Sequence, residues 1–139
     1  MIWNGCIDAR IIPHREQRWK ENIGDWWFAK DSTLHVRVSD LGDDGDRRGE
    51  WCLIAHETQE AMLCYFGWVK TLAVDRFDAA FEKARKKDDD SEPGDARGAP
   101  YGMQHCLATA VERMNVAVLH LNWSEYEESM DRVLDGPLR

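Results

Sequence analysis

The chain has 139 residues, enough for one domain (1–139) with a real hydrophobic core. Its formal net charge of −8 argues against a nucleic-acid partner, because phosphate binding needs a basic surface. No apolar run approaches the roughly 20 residues a membrane span requires, and no basic-then-apolar signal layout is present, so no membrane partner is expected and the expected location is cytoplasmic.

In chain order, residues 6–13 read as a strand ending at Pro13. Residues 14–25 are polar and are expected to be a loop or irregular segment. Trp26-Trp27-Phe28-Ala29 is a short strand candidate, and Lys30-Asp31-Ser32 is a turn. Residues 33–39 alternate apolar and polar at period two, the pattern of a half-buried strand. The last two strands are spaced as a hairpin. The Asp- and Gly-rich stretch 40–49 is a solvated loop. A helix is predicted from about Gly49 to Phe66, with Gly67 as its stop. A second spans about Thr71–Lys87, with Thr71 as N-cap and Phe77, Phe81 and Ala84 on one stripe. Residues 88–100 form a loop. Pro100 suits the first turn of a third helix, about 100–119, and a final helix covers about 123–134. The expected class is α+β: a small antiparallel N-terminal sheet of about three strands, then about four helices. Cys52, Cys64 and Cys106 are expected to be buried reduced thiols, and Trp26, Trp27 and Trp51 to be core. His35 is expected to be exposed, and His14 and His120, near element ends, to be solvated or capping.

The first helix holds the main anomaly. His56, Glu57 and Glu60 share a sector with Leu53, Cys64, Cys52 and Leu63 and with no Lys or Arg. Trp51, Ile54, Ala61 and Met62 occupy the other side, so the helix is apolar nearly all round and should be buried. Two carboxylates and an imidazole in a core are costly unless paired or metal-bound. The third helix repeats the pattern. His105 and Glu112 fall within about 20° of one another, among Ala108, Thr109 and Val116, while Leu107, Ala110, Val111, Met114 and Val118 make the opposite side apolar too.

If these faces meet, His56, Glu60 and His105 can converge on one divalent ion. His at i and Glu at i+4 point the same way one turn apart, and two His with one Glu is a ligand set of catalytic zinc sites. Glu57 could then accept a proton from metal-bound water. Glu112, Asp75 and Asp78 are candidates to orient the imidazoles. The alternative is a buried hydrogen-bonded network that only fixes helix packing.

The stretch His56-Glu57-Thr58-Gln59-Glu60-Ala61 resembles the His-Glu-Leu-x-Glu-Ala helix of a family of small uncharacterised proteins, mostly from phages and prophages. The likeness extends through Pro13-His14, Gly24 to Phe28, Thr33 to Ser39, Val74 to Asp78, Glu92 to Asp95, Ala99 to Tyr101, His105, Ala108 to Arg113 and Trp123 to Tyr126. It covers most of the chain and implies a bacterial host cell, but no activity. The strand followed by a His-Glu helix looks more loosely like the zincin metallopeptidases. That similarity implies His56 and Glu60 as ligands and Glu57 as base, in a minimal zincin-like fold. Glu60 stands where the zincin motif has its second His. Zinc is the leading metal, and the harder Glu makes Mn, Fe or Mg less implausible.

Three functions follow. The first is a zincin-like metal-dependent hydrolase, with a peptidase as its special case, holding an extended peptide at the sheet edge 33–39. The second is a non-enzymatic phage-type protein that binds a host factor, with a structural metal or polar network. The third is a Mg-dependent nucleotide pyrophosphatase, suggested by Glu57-x-x-Glu60 followed by Asp75-x-x-Asp78.

Overall fold

The computed structural model describes residues 1–137. Three strands, β1 (Ile7–Ile12), β2 (Gly24–Phe28) and β3 (Leu34–Ser39), precede four helices. These are α1 (Arg48–Phe66), α2 (Thr71–Ala84), α3 (Gly102–Val118) and α4 (Trp123–Asp135). The fold is α+β, as expected.

The sheet order is β1-β3-β2, and the sheet is mixed. β2 and β3 form the expected antiparallel hairpin, Trp26 opposite Val36. β1 instead runs parallel to β3, Ile7 opposite Leu34 and Ile12 opposite Ser39, which corrects the all-antiparallel sheet. The cause lies in the connection after Pro13, which passes the end of β3 to reach its far edge. Ser39 is what it crosses. Its backbone N–H bonds to Ile23 O at 2.8 Å, and its hydroxyl meets His14 Nδ1 at 2.8 Å and Gln17 Nε2 at 3.1 Å. His14 is therefore buried and pins the crossover, where a solvated role was expected. β3 is the central strand, so residues 33–39 do not offer a free edge for a peptide.

The alternation in β3 works as the period predicts: Leu34, Val36 and Val38 are all 0% exposed. His35 and Arg37 point to the other face, where His35 stacks on Trp27 with ring centroids 5.3 Å apart. That stacking leaves His35 only partly exposed, against the expectation of a free surface side chain. His120 is exposed, as expected. α1 lies on the core face of the sheet and α3 packs along α1 in the opposite direction: Gly67 at the end of α1 sits beside the Gln104 side chain, and Arg48 at its start donates to Leu119 O at 2.8 Å.

α1 stops at Gly67, but Gly67 has φ −84° and the left-handed step is taken by Trp68, φ 60°. Lys70, not Thr71, is the N-cap of α2. Pro100 precedes α3, whose N-cap is Tyr101. Asn122 caps α4 through Glu125 N at 3.1 Å.

Burial expectations also fail on α1 and α3. Trp51 is 54% exposed, and the side of α3 carrying Leu107, Met114 and Val118 is open. α3 rests on the rest of the molecule through one face only, so its second apolar side has nothing to cover it among the described residues. Cys106 is exposed with it, whereas Cys52 and Cys64 are buried thiols as expected. Burial pushes their pKa values up to about 11 and about 12, so neither is a reactive thiolate.

Because Leu34 is enclosed at the centre of the sheet, truncating it removes contacts on every side. Leu34→Ala is expected to lower unfolding stability by about 2–5 kcal/mol in urea titration, with the secondary structure retained.

Candidate metal centre

α1 and α3 face each other through the residues that look out of place in their sequences. His56, Glu60, His105 and Glu112 are each between 5% and 7% exposed. His56 Nε2 lies 3.4 Å from Glu60 Oε2, and His105 Nδ1 donates to that same oxygen at 2.7 Å. The two rings meet edge to face, centroids 5.1 Å apart. Ligand atoms of His56, Glu60 and His105 all fall within 4.8 Å of one another, close enough to share one ion. The antiparallel arrangement produces this convergence. Residues 56 and 60 are one turn apart on α1, and α3 runs back past them with 112 opposite 56 and 105 opposite 60.

Each imidazole is oriented by an acid on its other nitrogen. His56 Nδ1 donates to Glu112 Oε2 at 2.8 Å, and Glu112 Oε1 accepts from the Tyr126 hydroxyl at 2.6 Å. His105 Nε2 meets Glu92 Oε2 at 2.9 Å, with Asp95 Oδ1 at 3.6 Å. The remaining oxygen of Glu60 accepts from Trp26 Nε1 at 2.8 Å. Histidines that bind metals characteristically pass their second ring nitrogen to a carboxylate, which fixes the ring and makes it a better donor. Both histidines here have that partner.

Glycines make room at two points. A Cβ on Gly94, in the short turn Pro93–Asp95, would fall inside the His105 ring contact, and a Cβ on Gly24 would overlap the Glu57 carboxyl. The bare backbone of Gly94 lets Glu92 and Asp95 close on His105. The bare backbone of Gly24 gives Glu57 its place beside β2.

The electrostatics follow from crowding. Burial alone would lower the His56 pKa, but the hydrogen bond to Glu112 and then that to Glu60 outweigh it and hold it at about 11. His105 is held at about 10, as its bonds to Glu60 and Glu92 overcome the same burial. Glu60 is lowered to about 2 against its burial, chiefly by His105 and His56. Burial, then the neighbouring acids Glu60, Asp25 and Glu112, push Glu57 well above the usual carboxylate range, with only His56 opposing. Glu92 is lowered by its bond to His105.

Of the residues expected to orient the imidazoles, Glu112 does so directly. Asp78 acts one step further out: it accepts from the Tyr101 hydroxyl at 2.7 Å, and the Tyr101 ring stands edge-on to His105 at 6.1 Å. Asp75 is not part of the cluster; the groups that act on it are Arg18 and Asp25. Trp26, Tyr126, Glu92, Asp95 and Gly94 belong to the site, although the sequence reading gave Trp26 only a core role and assigned none of them to the site. The Glu-Pro-Gly-Asp string fell within the expected loop 88–100, and nothing local told which helix it would close against.

No family model matches the chain, and no curated protein or solved structure matches it either. The reading of the site therefore rests on its residues. No helix is long and apolar enough to cross a membrane among the described residues.

Two measurements probe the arrangement. Gly94→Ala is expected to cost about 1–3 kcal/mol, since the enclosed ring cannot yield freely, and to weaken any metal bound through His105. In chelator-treated protein the raised groups His56, His105 and Glu57 contribute stability that is lost with rising pH. For the histidines that loss runs from their unfolded value of 6.5 up to about 10 and about 11. The lowered Glu60 contributes stability lost as pH falls from its unfolded 4.5 to about 2. The unfolding midpoint should therefore be highest between these ranges, near pH 4.5 to 6.5, and fall towards alkaline pH. A midpoint that climbs through pH 9 would contradict the network.

Proposed function

We propose that the protein is a metal-dependent hydrolase with a divalent ion, zinc in the first place, held by His56, Glu60 and His105. The observation behind this is the pair of carboxylate-backed imidazoles: His56 on Glu112 and His105 on Glu92, each with its other nitrogen turned to Glu60. Three protein ligands leave a position for water, as catalytic zinc sites require and closed structural sites do not. Two nitrogens and one carboxylate suit zinc, and Mn or Fe also accept such a set.

When bound, the ion would supply Lewis acidity and lower the pKa of a coordinated water. The residues do the rest. Glu112 and Glu92 keep both rings in the tautomer that presents a lone pair towards Glu60. Trp26 holds Glu60 from the far side. Glu57 follows the first ligand on α1, and its carboxyl has no hydrogen-bond partner among the described residues; the positive charge of a bound ion would offset the burial and the neighbouring acids that hold it protonated, leaving it able to serve as general base. An extended peptide is the substrate class the zincin-like reading favours. A phage or prophage protein acting in a bacterial host cell fits the same reading.

A second reading is favoured by one observation. Glu60 and Glu112 have both oxygens engaged without any ion, so the cluster can also stand as a purely structural network in a protein that binds a host factor. Asp75 and Asp78 share no ligand-distance group with Glu60 among the described residues, so the nucleotide pyrophosphatase reading draws nothing from that geometry.

Elemental analysis of purified protein is expected to show about one equivalent of metal, lost in His105→Ala. Glu57→Gln is expected to keep the metal while lowering hydrolysis of a peptide-library substrate by about 10²–10⁴-fold, the usual contribution of a general base. Metal absent from the native protein would favour the structural network. Full activity in Glu57→Gln would remove that residue from the chemistry.

A further inference from the structure

His105 stands at the boundary between the buried cluster and solvent. Its Nδ1 is turned inward to Glu60 and its Nε2 outward to the Pro93–Asp95 turn. There Nε2 meets Glu92 Oε2 at 2.9 Å and Asp95 Oδ1 at 3.6 Å. The imidazole is 7% exposed, whereas the two carboxylates are 64% and 67% exposed. One donor atom from each of the three lies within 4.8 Å of the others. This outer group and the inner one therefore share a single residue and use opposite nitrogens of its ring.

Hydrogen bonding accounts for only part of the outer group. Nε2 can carry one proton, and Glu92 accepts it. Asp95 lies beyond hydrogen-bond range of the ring, and its carboxylate has no hydrogen-bond partner among the described residues. No Lys or Arg pairs with either acid among the described residues. Two like charges are nonetheless brought to one nitrogen by a turn that is fixed in place. Asp95 N donates to Glu92 O at 3.1 Å, Pro93 restricts the backbone, and only a glycine at 94 lets the turn lie against the ring, since a Cβ there would overlap it. The acids alone do not define a site. The enclosed Nε2 aimed between them does, and it makes a three-donor set whose remaining side is open to water.

We propose that His105 Nε2, Glu92 and Asp95 form a second divalent-cation site, bridged to the inner ion through the His105 ring. The proposal goes beyond the hydrolase reading: it shares one ligand with that site and does not need the inner ion. The outer ion bonds to Nε2 in place of the proton, which leaves to water. Glu92, which orients the ring when the outer ion is away, becomes its ligand. Charge favours the exchange. An ion at Glu60 leaves Glu92 and Asp95 facing a neutral ring, and a second ion restores a cation beside them. One imidazole nitrogen with two carboxylate oxygens suits Mn or Zn. Water screens the exposed carboxylates far more than the buried Glu60, so the outer ion binds more weakly and exchanges faster than the inner one.

Titration of chelator-treated protein with Mn²⁺, the free ion being counted by electron paramagnetic resonance, tests the assignment. The wild type is expected to take up two equivalents, the second at least about tenfold more weakly than the first. Asp95→Ala and Asp95→Asn, with the fold checked by circular dichroism, should keep the inner ion and lose the outer. Asp95 makes no hydrogen bond to His105, so these variants leave Glu92 in place behind the ring. His56→Ala should do the reverse. A single equivalent in the wild type that is unchanged in both Asp95 variants would overturn the second site and leave the hydrolase reading standing. A single equivalent lost with Asp95 but kept in His56→Ala would support the outer group and sink the inner one. Two equivalents that persist in both Asp95 variants would place the second ion elsewhere and overturn the proposal, and no uptake at all would overturn both sites.

Discussion

The Glu60 carboxylate is the point on which the interior depends. One oxygen takes the indole N–H of β2 and the other faces both imidazoles, so a single buried anion ties the sheet to α1 and α1 to α3. Burying an isolated carboxylate is prohibitive. The chain meets the cost by surrounding it with three nitrogen donors, and each histidine so used needs an acid of its own. Glu112 and Glu92 answer that need, and Tyr126 in turn supports Glu112. The network thus grows outward from one charge until it reaches α4 on one side and the Pro93–Asp95 turn on the other.

Such a cluster has two stable forms of bookkeeping for protons. Without an ion the histidines are charged and the acids are their counterions. With an ion the positive charge moves to the metal, and the same acids hold neutral rings. The geometry serves both, which is why the pattern of partners, more than the proximity of ligand atoms, carries the metal reading. A core built only for packing has no use for aligning each ring between two carboxylates, since apolar side chains of similar volume do that work at no desolvation cost.

The parts of the fold set by local pattern were legible in the sequence. The period-two run at 33–39 became the buried central strand, and all four helices fell within a few residues of their expected limits. Periodicity also put His56 with Glu60 and His105 with Glu112. What it could not reach was long-range. Strand direction depends on where the polar 14–23 segment travels, and nothing short of the Ser39 contacts shows that. The burial of α3 was overestimated because an apolar side chain in a sequence does not say whether its own chain covers it. Trp26, Tyr126 and Glu92 enter the site from three other elements, each by one hydrogen bond across a gap of many residues, and no spacing rule announces such contacts.

The parallel placement of β1 has its own consequence for how the molecule opens. β1 is paired along one side only, and the histidine–glutamate cluster is held by β2, α1 and α3. The first strand in the sequence is therefore the last needed by the centre. Peeling it away would bare the outer margin of β3 to water or to another extended chain. The contacts between α1 and α3 do not depend on that strand, so the sheet can exchange its rim while the histidine–glutamate cluster keeps its partners.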